Sequence, residues 1–379
     1  MIAERNNWPA FFTMVFFTVL MAETGRPQEG RLRLVHADSL KGVEVNGVSV
    51  IEVSGHVVFE QDSMRMTCWR ARQIAQQSRI EFYGDVNVHE GEKWLRSDSL
   101  IYYENRKVQE ALGNVALGDR TNQLTAKKVT YFQNQDLAVA ERDVVMTNSE
   151  RRLVLTCGRA DYNIEDEYAK ATISPVVIEM DSAQNEQMRI TGEVIEMYEG
   201  GNRTKAHGKV NITRQNTNAK CEEAEYFRAD GRLELRVDPV AWQAGDELKG
   251  DEIEMFFEEQ KITRAHVKGK AQMTSPVDSL ANGEQFNTLS GGQMALFFGE
   301  EQIEKIVVDE TATSVYHVVE NGEDQGMNRV QGDRITLLVR NKELQQVMIE
   351  SDPGVATGRF MPEGFALQDS GAVKQSGEQ

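Results

Sequence analysis

Two short patterns of apolar and small residues alternate along this chain. The first is an apolar residue, a variable residue and a small residue, as in Leu95-Arg96-Ser97. A recurring spacing of this kind is typical of repeat architectures, in which each unit buries its apolar face against its neighbours. Copies begin 29 to 41 residues apart at Val35, Met66, Leu95, Leu124, Leu155, Ile190, Ala219, Leu248, Leu289 and Val330.

The second pattern is a turn residue followed by apolar residues two positions apart, and it is clearest in Gly84-Asp85-Val86-Asn87-Val88. That alternation predicts a β-strand with one buried face, which begins after a turn. Helical periodicity is nearly absent. The sequence therefore predicts an all-β fold, an elongated repeat-built β-jelly-roll or solenoid. It would have about ten repeats of roughly 30–40 residues, each holding two short strands separated by turns.

Changes in composition and period divide the chain. Residues 1–22 end in an apolar run of 15 residues, which is shorter than a membrane-spanning helix and predicts a signal peptide or a short N-terminal anchor. Residues 31–273 form the predicted β-repeat body. The polar segment 274–288 is interpreted as a linker or insertion, and 289–362 as a second β lobe with longer repeats. The polar tail 363–379 is predicted to be disordered.

Charge and cysteine usage narrow the function classes. The net charge of −18 argues against nucleic acid as a partner, because phosphate binding needs clustered Lys and Arg. The three cysteines, Cys68, Cys157 and Cys221, all occupy the small position of the first pattern, and an odd number excludes a complete disulfide framework. We interpret them as small packing residues, with metal or redox chemistry as the alternative.

No catalytic motif is present in the sequence. It has no nucleophile elbow, no zinc-protease helix, no phosphate-binding loop and no glycine-rich dinucleotide turn. The six histidines lack metal-ligand spacing, so we predict no enzyme activity, no cofactor and no metal site. A calcium ladder of stacked acids such as Asp98 and Asp251 is a weaker alternative, because Trp69 and Lys127 occupy the same repeat position elsewhere.

One basic segment interrupts the acidic chain between residues 201 and 220. A row of cations in this region is a candidate contact for anionic groups, and a solvated strand face is the alternative interpretation. The candidates are Arg203, Lys205, Lys209 and Arg214.

Several of the copies resemble the OstA-like family of periplasmic lipopolysaccharide transport proteins. The resemblance lies in Gly84-Asp85-Val86, in Gly113-Asn114-Val115, in SDSLIY at 97–102 and in ADSL at 37–40; it covers roughly residues 34–273. The resemblance implies a twisted β-jelly-roll with an apolar groove between two sheets that shields the acyl chains of lipid A. It also implies edge-to-edge joining, and contacts with inner-membrane transporter components and an outer-membrane barrel.

A lipid carrier needs a continuous apolar trough, because each exposed CH₂ group costs about 0.8 kcal/mol in water. The alternating strands offer candidates for such a groove, and an ordinary closed core is the alternative. The groove candidates are Val57, Phe59, Val86, Val88, Val115, Leu117, Val144, Met146, Val176, Ile178, Val210 and Ile212.

Two other functions fit the same repeats. A structural or adhesive β-solenoid without cargo predicts a fully packed interior. A β-helical polysaccharide-degrading enzyme predicts Asp, Arg or Lys side chains that converge in one surface cleft, and the repeats contain no such cluster. In either elongated form, exposed edge strands would favour end-to-end self-association.

Overall fold

The computed structural model describes residues 32–45, 47–258, 261–277, 285–300, 302–320, 323–340 and 343–362. These residues form β-strands with three one-turn 3₁₀ segments, at 75–77, 133–135 and 199–201. The all-β prediction is confirmed. The predicted signal or anchor segment 1–22 and the tail 363–379 lie outside the described residues.

The strands are long, and all pairings between them described below are antiparallel. The first fifteen are β1 (Arg33–His36), β2 (Ser39–Val45), β3 (Val48–Gln61), β4 (Met64–Ile74), β5 (Arg79–Glu90), β6 (Lys93–Tyr103), β7 (Val108–Gly118), β8 (Asn122–Phe132), β9 (Leu137–Asn148), β10 (Leu153–Asn163), β11 (Tyr168–Thr172), β12 (Val176–Met180), β13 (Glu186–Thr191), β14 (Val194–Tyr198) and β15 (Arg203–Arg214). The rest are β16 (Thr217–Phe227), β17 (Arg232–Arg236), β18 (Val240–Gln243), β19 (Asp246–Lys249), β20 (Glu252–Glu258), β21 (Lys261–Pro276), β22 (Phe286–Gly299), β23 (Gln302–Glu320), β24 (Glu323–Arg340), β25 (Glu343–Glu350) and β26 (Thr357–Pro362).

The chain divides into two compact units, and the division falls within β16. The first unit runs to residue 215 and adds 221–230, and the second comprises 216–220 and the chain from 231. In the second unit, β21 and β22 extend into the segment 274–288, where Thr274 pairs with Thr288 and Pro276 with Phe286. The linker and second-lobe boundaries remain predictions.

Strands β3, β5, β7 and β15 each bend in the middle at a glycine of the second sequence pattern. Gly84 and Asp85 both have positive φ, 80° and 48°, and the register of β5 against β6 shifts between Tyr83 and Val86. Pairing continues on both sides, so this is a β-bulge that bends the strand. The sequence predicted a turn that starts a strand; the structure instead shows a corner inside one continuous strand.

The neighbouring strand explains why glycine recurs at the corner. A Cβ atom on Gly113 would lie 2.2 Å from an Asp98 carboxylate oxygen, and one on Gly84 would lie 2.8 Å from Trp69 Cβ. Glycine recurs because the corner requires a left-handed backbone conformation and also brings a neighbouring side chain too close for a Cβ atom. Asp98 packs on this corner and accepts a hydrogen bond from Asn114 Nδ2 at 3.1 Å.

At two corners a large residue occupies the bend, and the glycine lies opposite it on the neighbouring strand. Ile173 has a φ of 64°, and the residue beneath it is Gly158, whose added Cβ would meet Ile173 Cγ2 at 2.5 Å. In the second unit, Glu310 has a φ of 66° and covers Gly292 in the same way. Either strand can supply the space that the corner requires.

The corners separate two rows of buried residues that cross the first unit. We call them the first row and the second row. The first row begins with residues on the C-terminal side of the glycine corners in β3, β5 and β7. It also includes the residues that pair with them, strand after strand. Its members are Phe59, Met66, Val88, Leu95, Leu117, Leu124, Met146, Leu155, Val177, Ile190 and Ile212.

The second row lies on the other side of the corners and is also buried. Phe59 of the first row and Phe82 of the second row meet edge to face with ring centroids 5.7 Å apart, so the two rows face one interior. Six of its eleven members are alanines. They are Val53, Ala71, Phe82, Leu100, Ala111, Val129, Ala140, Ala160, Ala171, Ile195 and Ala206.

Candidate functional site

Ten of the twelve groove candidates point into the interior of the first unit. The bulky first row faces the second row, which is rich in alanine, so the interior is apolar along both rows. The inward candidates are Val57, Phe59, Val86, Val88, Val115, Leu117, Val144, Met146, Val210 and Ile212.

Val176 and Ile178 are half-buried, and their neighbours Val177 and Glu179 are buried instead. The sequence pattern took Ser174 as the counterpart of the corner glycine. In the structure the first residue of that corner is Ile173. A slip of one residue moves every side chain of a strand to the opposite face. Because the corner residue Ile173 is not a glycine, the sequence pattern did not show where the corner begins.

The small residues of the first sequence pattern lie opposite the valines that follow each corner. Val57 pairs with Cys68 and Val144 with Cys157. Burial raises the pKa of the Cys68 thiol to about 12 and that of Cys157 to about 11, so both are protonated thiols at neutral pH. This environment supports the packing interpretation of the cysteines.

A charged cluster lies beyond the apolar rows of the first unit. Glu179 and Arg214 are 7% and 5% exposed, and Arg214 Nη1 lies 3.9 Å from Glu179 Oε2. Arg228 Nη2 lies 3.1 Å from Glu179 Oε1 and also donates to the Arg151 carbonyl at 2.6 Å. Tyr226 Oη donates to Glu179 at 3.4 Å. Two guanidinium groups therefore face one carboxylate, which leaves net positive charge among these three side chains.

The other basic candidates lie elsewhere. Arg203 and Lys205 share Glu225, each at 3.6 Å, and Lys209 Nζ lies 2.9 Å from Glu193. The structure thus joins Arg214 to Arg228 and Glu179, which the sequence analysis missed. With the corrected phase of β12, Glu179 stands out as an acid two residues after the inward Val177.

The second unit contains a separate cavity of about 500 Å³. His317, which is 8% exposed, lies in its wall; its Nδ1 is 2.9 Å from Asp324 Oδ2, and its main-chain N–H donates to Asn287 Oδ1 at 2.9 Å. Aliphatic residues form most of the remaining wall, among them Leu248, Met255, Met273, Leu289, Leu296, Ile306 and Leu337. The sequence gave no signal for this cavity, because its walls come from strands of several repeats.

No helix of the described residues is long and apolar enough to cross a membrane. Some of the exposed apolar side chains lie on edge strands. Leu40 of β2 and Val347 of β25 belong to strands that pair on one side only, with β3 and β24, among the described residues.

Comparisons with known proteins agree with the repeat pattern. Residues 29–166 match the family model described as OstA-like protein. A search of curated proteins gave no match. Among solved structures, the chain is similar to LptH from Pseudomonas aeruginosa, described as the LptA-homologous periplasmic component of the conserved lipopolysaccharide transport device. The two are 16% identical with a TM-score of 0.30, over 39% of this chain and 96% of that one. The resemblance to the OstA-like family that the sequence analysis described is therefore confirmed over residues 29–166.

Proposed function

We propose that this protein is a non-enzymatic periplasmic carrier that shields the acyl chains of lipopolysaccharide or a related glycolipid on the way to the outer membrane. The observation that carries the proposal is the uninterrupted first row, which lines the interior across eleven strands of the first unit. The OstA-like match covers most of those strands.

The second row supplies the space that a chain-shaped ligand needs. Alanines such as Ala111, Ala140 and Ala160 face the bulky first row. Because their side chains are small, a hydrocarbon chain fits between the two rows once the rows move slightly apart. Each CH₂ group transferred from water contributes about 0.8 kcal/mol, so a chain of a dozen carbons contributes on the order of 10 kcal/mol. This free energy offsets the cost of separating the first row from the second row.

The charged cluster fits the head group of such a ligand. Arg214 and Arg228 lie where the apolar rows end, and a guanidinium binds phosphate bidentately. Arg203, Lys205 and Lys209 are proposed as weaker contacts for anionic groups, because each already faces a glutamate.

The edge strands fit the partners that the resemblance implies. An apolar edge with unpaired backbone groups accepts another strand by β-augmentation. We propose β1 and β2 at one edge, and β25 at another, as contacts for inner-membrane transporter components, an outer-membrane barrel or a second copy of this chain. Leu40 is 65% exposed, which supports such a contact.

A structural solenoid without cargo is the second candidate. The contact between Phe59 and Phe82 closes the interior at one point, as expected for an ordinary core. A packed core and a lipid groove differ in one respect, since only the groove takes up lipid.

Native mass spectrometry of the protein purified from the envelope of its own host tests the proposal. We expect a bound mass that matches a multi-acylated glycolipid. Ala111→Phe fills the interior while keeping it apolar and should abolish that mass, whereas Glu110→Phe on the other face of β7 should keep it. A lipid-free protein that also takes up no added lipopolysaccharide would favour the structural solenoid.

A further inference from the structure

The cavity of the second unit differs from the interior of the first unit in the charge of its lining. Its described lining residues include no Lys and no Arg. The ionisable side chains among them are Asp246 and His317, apart from the weakly acidic Tyr316, and His317 Nδ1 already faces Asp324. Nothing in this lining compensates an anionic head group, which would have to leave water at a cost.

Most polar residues of the lining lie near one end of the strands that form the cavity. Gln243 pairs with Asp246 on β18 and β19, Ser275 with Asn287 on β21 and β22, and Tyr316 with Asn328 on β23 and β24. These neighbouring positions form a rim of amide, hydroxyl and carboxylate groups, with amides at Gln243, Asn287 and Asn328.

At the opposite end the lining is mainly apolar, with Gln302 as its polar residue. Phe298 pairs with Ile303, and Val339 with Leu344, and all four line the cavity. Between the two ends lie buried aliphatic residues such as Leu296. The polar groups of the cavity are thus concentrated at one side and the rest of its lining is mainly apolar, which is the profile of a pocket for an amphiphile. Its volume of about 500 Å³ is within the usual range of roughly 300–1,000 Å³ for a site that holds one small ligand.

We infer that this cavity binds a single hydrocarbon chain with an uncharged, hydrogen-bonding head group and rejects a chain that ends in an anion. The head group contacts the amide rim, whose side chains offer both donor NH₂ and acceptor C=O groups. Asp246 at the rim and the Asp324 carboxylate beside His317 add repulsion against a carboxylate or phosphate head. All residues that line this site belong to the second unit, and none of them is a groove candidate.

Isothermal titration calorimetry of the full chain with two probes tests the inference. The probes are dodecanoylglycerol, which is uncharged, and dodecanoate, which has the same chain and a carboxylate head, both below their micelle concentrations. We expect one dodecanoylglycerol per chain and binding of dodecanoate weaker by at least about tenfold. Equal affinities for the two, or no binding of either, would overturn the inference.

Two adjacent substitutions on β23 locate the site. Ile303→Trp places a large side chain in the cavity and should weaken dodecanoylglycerol binding by at least about tenfold, whereas Glu304→Trp, which does not line the cavity, should not. Unchanged binding to the Ile303→Trp protein would place the ligand elsewhere and overturn the assignment. Circular dichroism melts check that both variants fold.

A charge substitution tests the selectivity itself. Asn328 is an exposed rim residue, and Asn328→Lys should raise the affinity for dodecanoate by about tenfold while leaving dodecanoylglycerol within a few-fold. Asn328→Gln is the uncharged control. If Asn328→Lys leaves dodecanoate binding unchanged, rim charge does not set the selectivity. A protein that retains host glycolipid but takes up no dodecanoylglycerol would refute this inference and leave the carrier proposal intact.

Discussion

The interiors of the two units are built alike and end differently. Both consist of paired aliphatic rows that are interrupted by strand corners, in the first unit at Gly84 and in the second at Gly269. Beyond the rows, the first unit places the buried Arg214 and the half-buried Arg228 around Glu179, whereas the described lining of the second unit's cavity has amides and no Lys or Arg. The repeat thus sets the apolar interior, and one outer position per strand sets the chemistry at its rim.

The largest expected effect comes from removal of the carboxylate in the charged cluster. Glu179→Gln removes the carboxylate that faces the buried Arg214 and the half-buried Arg228, and it should destabilise the first unit by about 3–5 kcal/mol. Glu193→Gln removes an exposed partner of Lys209 and should leave the free energy of unfolding nearly unchanged, because solvent screens this pair. Guanidinium unfolding followed by circular dichroism measures both; equal losses would refute the description of Glu179 as the centre of a buried cluster.

The corner glycines should rank next. Gly113→Ala forces an L-residue to a φ of 72° and pushes a Cβ against Asp98, with an expected loss of about 2–3 kcal/mol. Gly42→Ala on β2 is the control, because nothing lies within 4 Å of its added Cβ and its φ is not positive. It should change the free energy of unfolding by less than about 1 kcal/mol. A tolerated Gly113→Ala would show that the corner can relax.

The phase of β12 can be tested with two neighbouring valines. Val177→Ala removes buried methyl groups from the first row and should cost about 2 kcal/mol, whereas the half-buried Val176→Ala should cost less than about 1 kcal/mol. Urea unfolding of the two variants decides between the observed phase and the one predicted from sequence. A larger loss for Val176→Ala would favour the sequence-based phase.

The smallest effect concerns the acid beside the cavity. Burial would raise the Asp324 pKa, but hydrogen bonds from the Gly326 N–H and from His317 outweigh it and hold the pKa below its ordinary value of 3.8. A depressed carboxyl pKa contributes stability above the unfolded pKa, and that contribution is lost as the pH falls through the folded pKa. Asp324→Asn should therefore be less stable than the native chain at pH 6, with the gap closing toward pH 2. A gap that does not change with pH would contradict this assignment.

Local patterns alone predicted much of the first unit. Alternation around glycine identified inward residues such as Val86 and Val115, because the period of two in a strand fixes the buried face once the corner is known. The same logic explained the buried Cys68 and Cys157 at the small positions. It failed at β12, where Ile173 occupies the corner and Gly158 on the neighbouring strand supplies the space.

By itself the sequence determined the strand content, the repeat and the residues that pack at most corners, since these depend on neighbours within a few positions. Only the tertiary structure decided which charges meet. Glu179 and Arg228 are 49 residues apart in sequence and become neighbours through strand pairing across the stack. The cavity around His317 likewise needs walls from strands β18 to β25. Register and bending bring these positions together, and no local pattern encodes a distance between strands that are several repeats apart.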